Sequence, residues 1–239
     1  MNRLFRLKQF ELRQEQSALK VGTDGMLLGA VVADRFRGTS VGRVLDVGTG
    51  TGVIALMVAQ ELPNAEVVGI ELDPATAEEA ECNAQASPFA PRVSVLCADF
   101  RTYVAAPFHL IVSNPPFYTA THSSADQRST VAKHAITLSA DSFFQKCQEL
   151  LSPTGTIAVI LAPSALSAYE NAATSRGFFL NESIAIYAKA GRPLKRVITF
   201  WSRRSTPHLQ NSITILSGNG RHDYTEEYAR LLRPYLIIL

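Results

Sequence analysis

A chain of 239 residues is long enough to close one sizeable core, or one domain with appendages. Its hydrophobic content of 46% is ordinary for a globular protein, and no apolar run reaches the length needed to cross a bilayer. The formal net charge is only +2, so a polyanionic partner must be met by a local basic patch rather than by the whole surface.

Residues 1–10 alternate basic and apolar side chains and lack the apolar centre of a signal peptide. Cys82, Cys97 and Cys147 have no metal or redox spacing. They predict reduced, buried, structural thiols and a cytoplasmic protein. Residues 44–47 form a short apolar strand that runs into a glycine turn. Residues 53–62 have the Ala/Leu/Met content of a helix, stopped by Pro63. Residues 66–70 are a second buried strand, and residues 74–86 a helix opened by Asp73 as its cap. Residues 92–97 and 109–112 supply two more strands, with His109 expected in the core. The polar stretch 119–133 is too long for a plain connector, and loops of that length carry function or stay disordered.

Further on, residues 142–151 read as a helix closed by Pro153 and Gly155, and residues 156–161 as a fifth strand. A helix over 164–176 ends at Gly177. Residues 184–188, 197–201 and 213–216 are β-rich runs without a helix between them. The expectation is an α/β fold whose mostly parallel sheet carries helices on both faces and an antiparallel C-terminal edge. One domain spans 1–239, with 1–40 an N-terminal arm and capping segment and 41–239 the core; a monomer is expected.

The segment Asp46-Val47-Gly48-Thr49-Gly50-Thr51-Gly52 joins the first core strand to its helix. Glycines there permit a tight turn and close backbone approach, and the helix start offers free N–H groups. The spacing differs from the Gly-x-Gly-x-x-Gly of dinucleotide binders. Asp46 would repel a pyrophosphate and suits a cationic amino group better. Glu71 ends the second strand, where α/β nucleotide binders hold ribose hydroxyls. Asp99 ends the third, beside Phe100, and can accept from an adenine amino group. Each acid alone has a plain structural explanation; three at successive strand ends beside a glycine loop point to a nucleoside-containing cofactor.

Ser113-Asn114-Pro115-Pro116-Phe117 follows the apolar run of the fourth strand. Pro115 and Pro116 have no N–H to donate and a fixed φ, and Asn114 before proline is pushed to extended backbone. The turn offers the Asn114 side-chain oxygen and the Pro115 carbonyl as acceptors, with the flat ring of Phe117 nearby. That combination suits an amide or aromatic amine, though Asn-Pro is also common turn chemistry.

Together these residues resemble the Rossmann-like class I methyltransferases that use S-adenosylmethionine. Asp46 to Gly52 looks like their glycine motif, with Gly48, Gly50 and Gly52 its glycines. Glu71 looks like the ribose-binding acid, Asp99 like the adenine-binding residue, and Asn114 to Phe117 like the Asn-Pro-Pro-Tyr/Phe motif of amino-methyltransferases. Lys20-Val21-Gly22-Thr23-Asp24-Gly25-Met26-Leu27-Leu28-Gly29 is similar to the signature of the bacterial tRNA1(Val) (adenine(37)-N6)-methyltransferases, and the tail around Tyr224 to Tyr228 and Pro234 to Leu236 resembles that family's ending. The resemblance implies methylation of N6 of adenine 37 in valine tRNA, with S-adenosylmethionine as cofactor and no metal or membrane. It implies Asn114, Pro115, Pro116 and Phe117 as catalytic residues. Lys20, Gly22, Thr23, Phe100 and Asn114 join the glycine loop and the three acids as cofactor contacts. From the residues alone, Thr23 and Asp24 form either a flap over the cofactor or a simple turn.

Three basic segments are candidates for RNA phosphates: Arg3, Arg6 and Lys8; Arg128, Lys133 and His134; and Arg192, Lys195 and Arg196. Protein-glutamine methylation, ribosomal RNA amino-methylation and a non-catalytic nucleotide- or RNA-binding module are the competing readings. A longer helical N-terminal domain would favour the first. A duplicated domain would favour the second, and cofactor binding without methyl transfer the third.

Overall fold

The computed structural model describes residues 4–17, 19–115, 138–220 and 222–239. Arg3, Pro116, Phe117, Arg128, Lys133 and His134 lie outside these. A small hairpin, β1 (Leu4–Arg6) against β2 (Glu11–Arg13), precedes helix α1 (Thr23–Phe36). The core then runs β3 (Arg43–Val47), α2 (Val53–Glu61), β4 (Glu66–Glu71), α3 (Pro74–Gln85), β5 (Val93–Cys97) and β6 (Phe108–Ser113). It continues with α4 (Ala140–Leu150), β7 (Leu151–Leu161), α5 (Leu166–Ser175), β8 (Phe179–Lys189), β9 (Leu194–Ser202), β10 (Leu209–Leu216) and α6 (Glu226–Leu232).

Eight strands form one sheet in the order β10-β8-β9-β7-β6-β3-β4-β5. Strands β3 to β7 run parallel to one another, and their near-continuous apolar runs are what a sheet buried on both faces requires. Adjacent residues serve opposite faces. Val44, Val67, Leu110 and Ala158 meet α1, α2, α3 and α6, whereas Leu45, Val68, Ile111 and Ile157 meet Phe143 and Phe144 of α4 and Tyr169 of α5. The antiparallel character expected of the C-terminal part is carried by β9, against both β7 and β8. Strand β10, on the edge, runs parallel to β8. A short turn makes β8–β9 a hairpin, and the chain then passes round the start of β8 to its far side.

Some local expectations need correction. Helix α4 passes directly into β7, so Pro153 and Gly155 lie within that strand rather than closing the helix. The pairing register slips there, between Phe108 and Leu110. A Cβ on Gly155 would sit 2.7 Å from Leu151 Cδ1 and 3.1 Å from the His109 carbonyl, so the irregular strand closes only around glycine. Cys147 is buried, but Cys82 and Cys97 are exposed, on the outer side of α3 and at the end of edge strand β5. His109 is exposed and accepts the Arg43 N–H at 3.2 Å. Thr23 and Asp24 open a helix, Thr23–Phe36, rather than forming an isolated turn, and it is buried from Gly25 to Ala33. It packs so closely on α2 that a Cβ on Gly29 would meet Met57 Sδ at 3.0 Å.

One ionic contact fastens α1 to the C-terminal strands. Glu182 of β8 is only 5% exposed; it pairs with Arg35 at the end of α1 and accepts from Asn211 Nδ2 at 2.8 Å. The Arg35 guanidinium also lies over the Phe200 ring, 4.4 Å from its centroid. Arg35→Met leaves this buried carboxylate short of a charge partner, a loss of about 2–4 kcal/mol. Urea unfolding should show that loss at an unchanged slope, with Glu182→Gln added to Arg35→Met recovering much of it. Equal midpoints for wild type and Arg35→Met would show that the contact contributes nothing.

Candidate cofactor and amine site

Parallel strands that start in register also end in register. Val47 pairs with both Ser113 and Ile70, and Glu71 pairs with Cys97. Asn114, Gly48, Glu71 and Asp99 therefore follow one another along the carboxyl edge of β6, β3, β4 and β5. At the usual strand spacing this row spans about 14 Å. The chain order reverses between β3 and β6, the place where open α/β sheets bind ligands.

The turn after β3 requires its glycines: Gly48, Gly50 and Gly52 have φ of 69°, 56° and 82°, values that L side chains adopt only with strain. The N–H groups of Gly48 and Thr49 donate to the Ile70 carbonyl at 2.9 and 3.0 Å, drawing the turn toward β4. Asp46, 1% exposed, lies underneath. Its Oδ2 accepts from Thr49 Oγ1 at 2.7 Å and from the Ala55 N–H in the first turn of α2 at 3.2 Å. Its Oδ1 is buried and has no partner. Burial pushes the Asp46 carboxyl up to about 7, against the pull of those hydrogen bonds. Gly69 makes room for this arrangement, since a Cβ there would stand 2.9 Å from Thr49 Oγ1.

Glu71 is held from two sides. Its Oε2 accepts from Gly50 N at 3.1 Å, and its Oε1 from Leu72 N and Asp73 N at 2.8 and 3.2 Å. Asp99 receives the Arg101 guanidinium as a fork, with contacts of 2.6 to 3.0 Å. This pairing holds its carboxyl below the ordinary aspartate range. Phe100 turns its ring away, into the core against Phe143, with centroids 5.6 Å apart. The Phe100 side chain is thus outside the crevice where the family resemblance put it.

A strap of residues 13–17 and 19–21 flanks the glycine loop, and four polar residues that build it carry no motif. Glu79 of α3, 8% exposed, accepts the N–H groups of Glu15, Gln16 and Ser17 at 2.6, 3.0 and 3.2 Å. Asn83 exchanges hydrogen bonds with the Arg13 backbone at 2.8 and 2.9 Å and donates to the Thr51 carbonyl at 3.0 Å. Gln14 accepts from Val21 N, and Ser17 Oγ lies 3.8 Å from where a Cβ on Gly50 would stand. Lys20 Nζ closes the strap by donating to the carbonyls of Gln14 and Ser17 at 2.5 and 2.8 Å. Gly22 is the extended N-cap of α1, and Thr23 begins the helix.

Asn114 stands at the other end of the row. Its Nδ2 lies 3.7 Å from where a Cβ on Gly25 would be, which places the first turn of α1 beside it. Its Oδ1 is buried without a hydrogen-bond partner. Ser113 Oγ donates to the Val47 carbonyl at 2.9 Å and ties the turn to the glycine loop. Pro115 follows without an N–H that might compete. Among the basic candidates, Arg6 pairs with Glu11 across the hairpin and Lys8 Nζ donates to the Arg233 carbonyl. Arg192, Lys195 and Arg196 instead line one cavity of about 600 Å³ with Lys189.

The site suits S-adenosylmethionine: acids for its ammonium and hydroxyl groups, a glycine turn for close approach, and an unpaired carboxylate oxygen under that turn. Fold and site define a class I, S-adenosylmethionine-dependent methyltransferase. Residues 24–172 match the methyltransferase small domain family. The chain is 35% identical over 98% of its length to a Bacteroides fragilis tRNA1(Val) (adenine(37)-N6)-methyltransferase, covering 97% of that protein. It is 37% identical to the protein of that name from Aeromonas hydrophila, with the same two coverages. The chain belongs to this tRNA1(Val) (adenine(37)-N6)-methyltransferase family.

Solved structures agree on the fold. A predicted O-methyltransferase of Agrobacterium tumefaciens matches 89% of this chain and 96% of its own at a TM-score of 0.68 and 24% identity. A Thermus thermophilus 16S rRNA N2 G1207 methyltransferase, in complex with AdoMet and guanosine, matches 84% of this chain and 50% of its own, with a TM-score of 0.58 and 23% identity. Among the described residues, no helix is long and apolar enough to cross a membrane, and no group of His, Cys, Asp or Glu could hold a metal.

The raised carboxyl of Asp46 has a consequence for stability. Because the native state holds a proton that the unfolded chain has lost, stability falls as pH rises from about 4 to 7 and then levels off. Asp46→Asn removes that slope. The variant of the cofactor-free protein should gain on wild type by about 2–4 kcal/mol between pH 4.5 and pH 8 in urea unfolding. A constant difference across that range would mean that Asp46 titrates like an ordinary aspartate.

Proposed function

We propose that this protein methylates N6 of adenine 37 in valine tRNA, with S-adenosylmethionine as methyl donor. The observation that carries the reading is the buried, unpartnered Oδ1 of Asn114 at the carboxyl end of β6, beside the glycine loop. An acceptor left unpaired in a buried place costs about 1–3 kcal/mol. A bound amine recovers that loss, and the family identifies the amine as adenine N6.

Asp46 and the glycine loop would hold the cofactor's ammonium end, with Lys20, Gly22 and Thr23 close by on the strap and the start of α1. Glu71 would take the ribose hydroxyls. Asp99 would take the adenine amino group, with part of its Arg101 fork released. Bound there, S-adenosylmethionine supplies an electrophilic methyl group on a sulfonium sulfur.

The remaining work belongs to the protein. The lone pair of an exocyclic adenine amine is delocalised into the ring, which makes it a weak nucleophile. Asn114 Oδ1 and the Pro115 carbonyl would each accept one N–H, favouring a pyramidal nitrogen with its lone pair aimed at the methyl. The same two oxygens stabilise the positive charge that grows on N6 as the new N–C bond forms, a preorganised electrostatic effect. The spent N6 proton leaves to water, so no side chain is required as base. Phe117, outside the described residues, would stack on the base, at about 1–3 kcal/mol. An adenine in a loop is also cheaper to turn out than one in a duplex, where unstacking costs roughly a few kcal/mol.

The polyanion would lie over Arg192, Lys195 and Arg196, extended by Arg3, Arg6 and Lys8 and by Arg128, Lys133 and His134. We take the monomer as the acting species, in the cytoplasm.

The test uses labelled cofactor with unmodified total tRNA, followed by digestion to nucleosides. N6-methyladenosine confined to valine tRNA, and lost when A37 is replaced by G, is the expected result. Label in guanosine or in protein glutamine would overturn it. Asn114→Ala should lower kcat by 10²–10³-fold while S-adenosylhomocysteine affinity stays within about threefold, because the lost acceptor serves the amine. Normal turnover with weakened cofactor binding would reverse that assignment.

A further inference from the structure

The ion pair between Asp24 and Arg196 joins the start of α1 to the basic cavity across 172 residues of sequence, and nothing in the reading above uses it. Arg196 Nε donates to Asp24 Oδ2 at 2.8 Å, and both side chains are only about a quarter exposed, at 25% and 23%. Arg196 Nη1 also donates to the Lys195 carbonyl at 2.8 Å, which anchors the guanidinium to its own strand.

The sheet register explains why this pair is near the chemistry. Val159 pairs with Ser113, and Leu161 pairs with Val197. Arg196, just before Val197, therefore stands at the same carboxyl edge as Asn114, two strand spacings or roughly 10 Å away. Asp24 precedes Gly25, and Asn114 Nδ2 lies 3.7 Å from where a Cβ on Gly25 would be, so the first turn of α1 neighbours that amide. Helix α1 has no side-chain cap at Gly22, so its first turn depends on such outside contacts. A carboxylate in that turn also complements the helix dipole.

We propose that Arg196 is a positioning residue for methyl transfer. Through Asp24 it holds the first turn of α1 against Asn114, while its other face belongs to the cavity that takes RNA phosphate. Docking of RNA and alignment of the amine-binding oxygen thus share one guanidinium. This rests on the tRNA reading above.

The experiment measures kcat and KM for unmodified tRNA, and S-adenosylhomocysteine affinity, on wild type, Arg196→Met, Arg196→Lys, Asp24→Asn and the double variant. Arg196→Met should lower kcat about 10–100-fold, beyond any rise in KM, with S-adenosylhomocysteine affinity within twofold. Asp24→Asn should match it although it removes no positive charge, and the double variant should be no worse than either single change. Arg196→Lys, which can still pair with Asp24, should recover most of kcat. An effect of Arg196→Met on KM alone, additive losses, or no recovery by lysine would each overturn the proposal, and lysine recovery decides it if the methionine variant fails to fold. Failure of the tRNA reading is seen separately, as absence of methyl transfer to tRNA by wild type.

Discussion

The burial of Asp46 beneath a turn of three left-handed glycines is the constraint on which the rest of the site depends. One oxygen of that carboxylate is shared between Thr49 and the first turn of α2. It therefore sets where the turn closes and where the helix begins. The other oxygen is left unpaired in a dry place, an arrangement that is unfavourable until something donates to it. Burial raises the carboxyl to about 7, so near neutral pH the group sits between two states that a cation would distinguish. A site of this kind carries its cost before ligand arrives, which is the usual price of preorganisation.

Asn114 repeats the same logic at the neighbouring strand. Its amide nitrogen neighbours the first turn of α1, while its buried oxygen has no hydrogen-bond donor among the described residues. Prolines at both following positions remove the nearby backbone N–H groups that could have satisfied that oxygen locally. The two unpaired acceptors sit on adjacent strands of one sheet edge, and a ligand that fills both has to bring a cation and an amine together. Methyl transfer between a charged cofactor and an exocyclic amine asks for that combination.

Around this pair the fold uses backbone amides and carbonyls more than side-chain chemistry. Glu79 and Asn83 of α3 hold the strap by its main chain, and Lys20 gathers the strap's carbonyls from the other side. Such contacts fix the path of the main chain beside the glycine loop. They also make α3 a support for the cofactor end of the site, although it contributes no expected ligand contact. At the opposite end, α1 is held by ion pairs of Arg35 with Glu182, of Asp34 with Arg230, and of Asp24 with Arg196. The helix is thereby registered against β8 and β9, which lie far along the chain from it.

Much of this was legible in the chain before any coordinates. Alternating apolar strands and helices, the glycines after Asp46, and the acids at strand ends are local patterns, and local sterics and burial determine what they become. The donor-free character of Asn114-Pro115 is likewise a covalent property of proline. Tertiary structure decided the rest, because it depended on partners remote in sequence. Thr23 and Asp24 read as a flap or a turn, yet they open a helix whose close packing on Met57 of α2 is permitted by Gly29. Pro153 and Gly155 look like a helix stop and instead serve an irregular strand against β6. Phe100 goes to the core because α4 offers it Phe143. Glu79, Asn83, Asp24 and Arg196 acquire their roles only when segments tens to hundreds of residues apart are brought within hydrogen-bond distance, and no spacing along a single chain encodes that meeting.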